Sequence, residues 1–141
     1  MYFPYLRGRQ FELIAIRELF ENELIGSKVI PIIEPIKPTS TLMKTINLIT
    51  EREHKVAVIH NPQVGTYLKA LSNLSSSSLK DSLLNVYESE NVIFSHILNK
   101  KSTTELAASE EKQKDMLLIL NNTEYINDYL NIFDYKHRNS H

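Results

Sequence analysis

A chain of 141 residues, 42% hydrophobic and 23% charged, with three glycines and five prolines, has the size and composition of one ordinary globular domain, which excludes a disordered or fibrous protein. A formal net charge of -1 supplies no global field to draw it onto nucleic acid or an anionic membrane, and the absence of cysteine excludes disulfides, thiolate nucleophiles and cysteine-based metal sites. Met1 to Gln10 carries Arg7 and Arg9 beside Pro4 and Gly8, with no apolar run suited to a signal peptide or a membrane span, so a cytoplasmic location is the simplest expectation.

Tyr2 to Leu6 is short, aromatic and apolar and breaks at Arg7-Gly8-Arg9, which predicts a strand entering a turn. From Gln10 to Leu24, Leu13, Ile16, Phe20 and Leu24 fall at helical spacing, and Gly26 stands where that helix would stop. Lys28 to Glu34 is apolar at almost every position, as in a parallel strand covered on both faces. After Pro35 and Pro38, Thr39, Ser40 and Thr41 are good caps for a second helix carrying Leu42, Ile46 and Ile49. The unit repeats with Lys55 to Ile59 as strand and His60-Asn61-Pro62 as turn. Two helices then follow, marked by Tyr67, Leu68 and Leu71, and by Leu79, Leu83 and Val86, split by the serines 75 to 78. Val92 to Ile97 predicts a fourth strand, and Ser102-Thr103-Thr104-Glu105 a capping box for the short helix that follows it. Met116 to Leu120 predicts a fifth strand. Asn121-Asn122-Thr123 caps a brief helix with Ile126 and Leu130, and Asn131 to Asp134 starts a sixth strand.

Strands alternating with helices imply an α/β fold with a mostly parallel sheet. A β/α barrel usually needs about 250 residues. The expectation is therefore a partial, barrel-like array, with an open doubly wound sheet as the alternative. Six units cannot close eight strands, so an exposed sheet edge is expected, which a protein partner or a second copy could cover.

The opening Tyr2-Phe3-Pro4-Tyr5-Leu6-Arg7-Gly8-Arg9-Gln10-Phe11-Glu12-Leu13 resembles the start of an uncharacterised bacterial family, the "sce" proteins, itself similar to the phage Beta protein family. Ile33-Glu34-Pro35-Ile36-Lys37, Asn61-Pro62-Gln63-Val64-Gly65 and Arg138-Asn139 resemble it as well. The resemblance implies a TIM-barrel-like parent of which residues 1 to 141 form a single N-terminal portion, and it brings no reaction.

In parallel α/β folds ligands bind at the carboxyl ends of the strands. The residues just after the predicted strands are Arg7 and Arg9, Glu34 and Lys37, His60 and Asn61, then His96, Asn99 and Lys100, Asn121, and Asp134. Loops are polar in every protein, so each residue alone says little. Glu34, held between Ile33 and Pro35, reads as a partly buried carboxylate suited to proton transfer with His60, or else as the partner of Lys37 or Arg7 in a salt bridge. Arg7, Arg9, Lys37 and Asn61 read as ligand-binding groups for a small anion such as a phosphate ester or nucleotide, although the arginines could equally pair with Glu12 or Glu34. Gly8 stands alone, so there is no Walker or dinucleotide fingerprint and no cofactor is named. His60, His96 and Glu34 lack the spacing of an HxH or HExxH motif, so no metal site is expected. If strand parity allows, Arg7, Glu34, Lys37 and His60 should converge in one cleft. Two functions remain open: a binding protein or enzyme for a small anion, and a non-catalytic interaction module of a mobile-element or phage-related system.

Overall fold

The computed structural model describes residues 1–63, 65–75, 77–99 and 116–120. Short strands alternate with helices: β1 (Tyr5–Arg7), α1 (Gln10–Glu21), β2 (Ile32–Glu34), α2 (Ser40–Glu51), β3 (Val56–Ile59), α3 (Tyr67–Asn73), α4 (Ser78–Leu84), β4 (Val92–Ile97) and β5 (Leu117–Ile119), with a 3-10 turn at Val86–Glu88 before β4. The five strands form one sheet in the order β1-β2-β3-β4-β5, every neighbouring pair parallel. The expected helix at Ser102 to Glu105, the helix near Ile126 and the strand from Asn131 lie outside the described residues.

Consecutive order separates the two faces of the sheet. Leu6, Ile33, Val56, Val58 and Val92 face the helices and pack with Leu13, Ile16 and Phe20 of α1 and Leu42, Ile46 and Ile49 of α2. Ile32, Ala57, Ile59 and Ile97 point the other way and form a second cluster with Ile93, Leu117 and Ile119. Full burial of one such aliphatic side chain contributes about 1.5–3 kcal/mol, so both clusters hold the sheet. A doubly wound sheet reverses its strand order and places helices on both faces. Among the described residues neither occurs, so that alternative is set aside. The described strands leave β1 and β5 as two unjoined edges.

The ladder between β1 and β2 is longer than either strand. Tyr2 N donates to Lys28 O, Ile30 N to Tyr2 O, Ile32 N to Pro4 O and Gly8 N to Glu34 O. The next bond in that sequence would run from residue 4 to Ile30 O, and Pro4 has no N–H to give. Lys28 to Glu34 therefore pairs along its length but is interrupted, with an isolated bridge at Tyr2 and Val29. Pro31 causes the same gap on the other side of β2. Its carbonyl accepts from Ala57 N, but it has no N–H for Lys55 O, which instead lies 2.8 Å from His54 Nδ1.

α1 ends at Glu21, earlier than its apolar spacing suggested, and α2 ends in the same way. Glu23 N donates to Phe20 O and Leu24 N to Leu19 O, while Glu53 N donates to Thr50 O and His54 N to Ile49 O. These are paired Schellman closures, and the left-handed residue is Glu23 (φ 55°) in one and Glu53 (φ 57°) in the other, where glycine is usual.

Candidate functional site

The carboxyl ends of β1, β2 and β3 and the first turns of α1 and α2 lie at one end of the sheet. Three loops there are laced together. Gly8 N donates to Glu34 O at 2.7 Å, and a Cβ on Gly8 would stand 3.2 Å from that oxygen. Thr66 N donates to Ile36 O, and Gly65 (φ +76°) comes so close to Ile36 that a Cβ would lie 2.9 Å from the same carbonyl.

Glu34 is the centre of this lacing, at 3% exposure. Tyr5 donates its hydroxyl proton to Oε1 at 2.8 Å, and Gln63 N–H donates to Oε2 at 2.7 Å. The expected cationic partners, Lys37 or Arg7, are not what satisfies these oxygens; a phenol and a backbone amide do. Burial, followed by the neighbouring Glu34, raises the Tyr5 hydroxyl well above its ordinary pKa, so it remains a donor. Arg7 is the register partner of Glu34 and shares its face of the sheet, with its side chain exposed.

Arg9 and Lys37 stand elsewhere. Both line a cleft of about 280 Å³ with Gly8, Gln10, Ile36, Thr39 and Thr41, where α1 and α2 begin. Thr39 caps α2 by accepting from Leu42 N, whereas Arg9, the N-cap of α1, makes no side-chain capping bond. The first N–H groups of α1 therefore have no capping side chain at the cleft.

His60 continues the β3 ladder, donating its N–H to Ser95 O, so its side chain has the parity of Val58 and lies on the helix face, opposite Glu34. Its ring stacks on Phe94 with centroids 4.4 Å apart, and Nε2 lies 2.6 Å from His96 Nδ1. His96 is fully buried, and burial lowers its pKa to about 4. Asn61 is buried as well. Its Nδ2 donates to Ile97 O at 2.8 Å and its Oδ1 accepts from Ile97 N at 2.9 Å, so the amide takes over the β3–β4 ladder where Pro62 turns the backbone away.

The structure thus divides the candidate residues. Glu34 and Arg7 share the face away from the helices, Arg9 and Lys37 share the cleft at the helix starts, and His60 and Asn61 are engaged with β4. Sequence reasoning missed Tyr5, although its i, i+2 spacing from Arg7 places it on the face of Glu34. It also missed Gln63, which acts through a backbone N–H that no residue identity reveals. Among the described residues no group of three or more His, Asp or Glu side chains could hold a metal, and no helix is long and apolar enough to cross a membrane. No family model matches the chain, and no curated protein or solved structure matches it.

Proposed function

We propose that this chain binds a small phosphate-bearing compound, a phosphate ester or nucleotide, in the cleft between the first turns of α1 and α2. The supporting observation is that Arg9 and Lys37 line one cleft with the threonines that begin α2 and the start of α1. Guanidinium and ammonium groups favour an anion, and the N–H groups and dipoles of two helix starts add to them. The proposal is for binding, in a cytoplasmic setting, and names no reaction, because Glu34 has donors on both oxygens and His60 lies across the sheet.

A thermal-shift series with inorganic phosphate, sugar phosphates and nucleoside monophosphates tests this. Phosphate monoesters should raise the melting temperature. The gain should shrink with added salt and disappear in the double variant Arg9→Ala, Lys37→Ala. The proposal fails if none of these anions stabilises the protein, or if the double variant responds as the natural chain does.

A second reading, the interaction module that the family resemblance implies, draws on a different observation. Tyr2, Phe3 and Tyr5 are exposed along the unjoined edge of the sheet.

A further inference from the structure

We propose that two copies of this chain join along β1, antiparallel about Tyr5, into one continuous sheet. The phase of the ladder carries the inference. Tyr2, Pro4 and Gly8 exchange bonds with β2, so the intervening Phe3 and Tyr5 turn their N–H and C=O groups to the open edge, as does the N–H of Arg7, whose C=O accepts from Arg9 N at 2.8 Å. Both prolines near this pairing lose their bonds internally, Pro4 toward β2 and Pro31 toward β3. The outer edge consequently keeps every donor. Among the described residues no strand pairs with this edge, and it has no proline on the open side, no bulge and no lysine; its short length and the charge of Arg7 are its only protections there.

The edge is self-complementary in one register. A two-fold axis at Tyr5 sets Tyr5 opposite its copy and Phe3 opposite Arg7 of the second copy, all on one face. Tyr5 exchanges both bonds with its copy and Arg7 N–H donates to Phe3 O, while Phe3 N–H becomes the second donor to Arg7 O, which already accepts from Arg9 N. Arg7 then lies over an aromatic ring, a favourable cation–π pairing. The two Arg7 residues are four positions apart along the pair, roughly 13 Å at ~3.3 Å per residue, beyond the screening length of about 8 Å in physiological salt. The Tyr5 hydroxyl is tied to Glu34 and leaves the ring fixed for its counterpart.

The helices fit the same axis. α1 packs through Leu13, Ile16 and Phe20 over Leu6 and Ile33, and the two-fold brings both α1 helices to the same side of the joined sheet. Two strand spacings separate them, about 10 Å, which is a helix-packing distance. Ile14 and Leu19, each at 41% exposure, lie on opposite flanks of α1, so one of them is apolar surface on the flank turned to the second copy.

The chain has no cysteine, so single-cysteine variants can read the register directly. Light scattering on the natural chain should give a dimer. Under mild oxidation Tyr5→Cys should cross-link to itself, since residues in a hydrogen-bonded pair lie about 5.5 Å apart, within disulfide reach. Phe3→Cys alone should stay uncross-linked, and a mixture of Phe3→Cys with Arg7→Cys should cross-link heterotypically. The mixed experiment leaves the Tyr5 bond to Glu34 intact, so it decides the matter even if Tyr5→Cys folds poorly. A monomer at all accessible concentrations overturns the proposal, as does self-linking of Phe3→Cys in preference to the Phe3–Arg7 pair.

Discussion

Glu34 is 3% exposed and has a donor on each oxygen, so the size of the loss on replacing it depends on what the new side chain can accept. Glu34→Ala leaves the Gln63 N–H and the Tyr5 hydroxyl without their acceptor and should destabilise the fold by about 3 kcal/mol in urea unfolding. Glu34→Gln should cost only about 1 kcal/mol, because its carbonyl can keep the Gln63 bond while the Tyr5 hydroxyl reverses and accepts from the amide. If the carboxylate instead served ligand binding, Glu34→Gln would lose the phosphate response while keeping its stability. His96 gives a pH dependence. Its folded pKa of about 4 lies below the ordinary 6.5, so the unfolded chain takes up the proton first. Its contribution to stability is therefore whole above about pH 6.5 and is lost progressively as the pH falls toward 4. The loss should be on the order of 2 kcal/mol, measured as the pH slope of unfolding free energy, and His96→Leu should flatten that slope. At this scale the sequence was least legible. The position of Glu34 after an apolar run marked it as buried, but its partners come from a tyrosine 29 residues earlier and a backbone amide 29 residues later, which no local pattern specifies.

The helices and strands were easier to read, and the departures have local causes. Both α1 and α2 close on a glutamate in the left-handed region, and glycine-based reading of helix stops passes over them; Gly26 misled because the chain had already turned at Glu23. A Cβ is unfavourable in that conformation by roughly 1 kcal/mol. Glu53→Gly should therefore raise stability by about 0.5–1 kcal/mol despite the greater freedom of glycine in the unfolded chain, while a glycine placed inside α2, as in Asn47→Gly, should lower it by a similar amount. Equal destabilisation by both glycines in denaturant titrations would show that the Schellman closure does not govern the end of α2. Gly65 is the reverse case. With φ +76° and a Cβ position 2.9 Å from Ile36 O, Gly65→Ala should cost about 2 kcal/mol and loosen the loop that holds Glu34. The shortened β2 was also encoded locally, since Pro4 and Pro31 each remove one ladder donor from a segment whose β-branched residues otherwise specify a long strand.

At the scale of the whole molecule, alternation of strand and helix was enough to give a parallel sheet, because crossover helices return the chain to the same end. Strand order was not fixed by alternation alone; it follows from the division of strand residues into a helix-facing set and an opposite set, which places all the described helices on one face. The same two-residue period decides which amides of β1 are protected, and hydrogen exchange can read it residue by residue. Gly8 N is bonded to Glu34 O, and Leu6 has the same phase, so both should exchange slowly. Phe3 and Tyr5 have the opposite phase and direct their N–H groups to the open edge, so in dilute solution both should exchange rapidly although they lie beside Leu6. Raising the protein concentration should slow Tyr5 and Phe3 together and leave Leu6 and Gly8 unchanged, because among the described residues these two N–H groups have no backbone acceptor and edge pairing between copies supplies one. Slow exchange at Tyr5 that is independent of concentration would mean that the edge is covered within a single chain, and would set aside the dimer while preserving the ladder phase from which it was inferred.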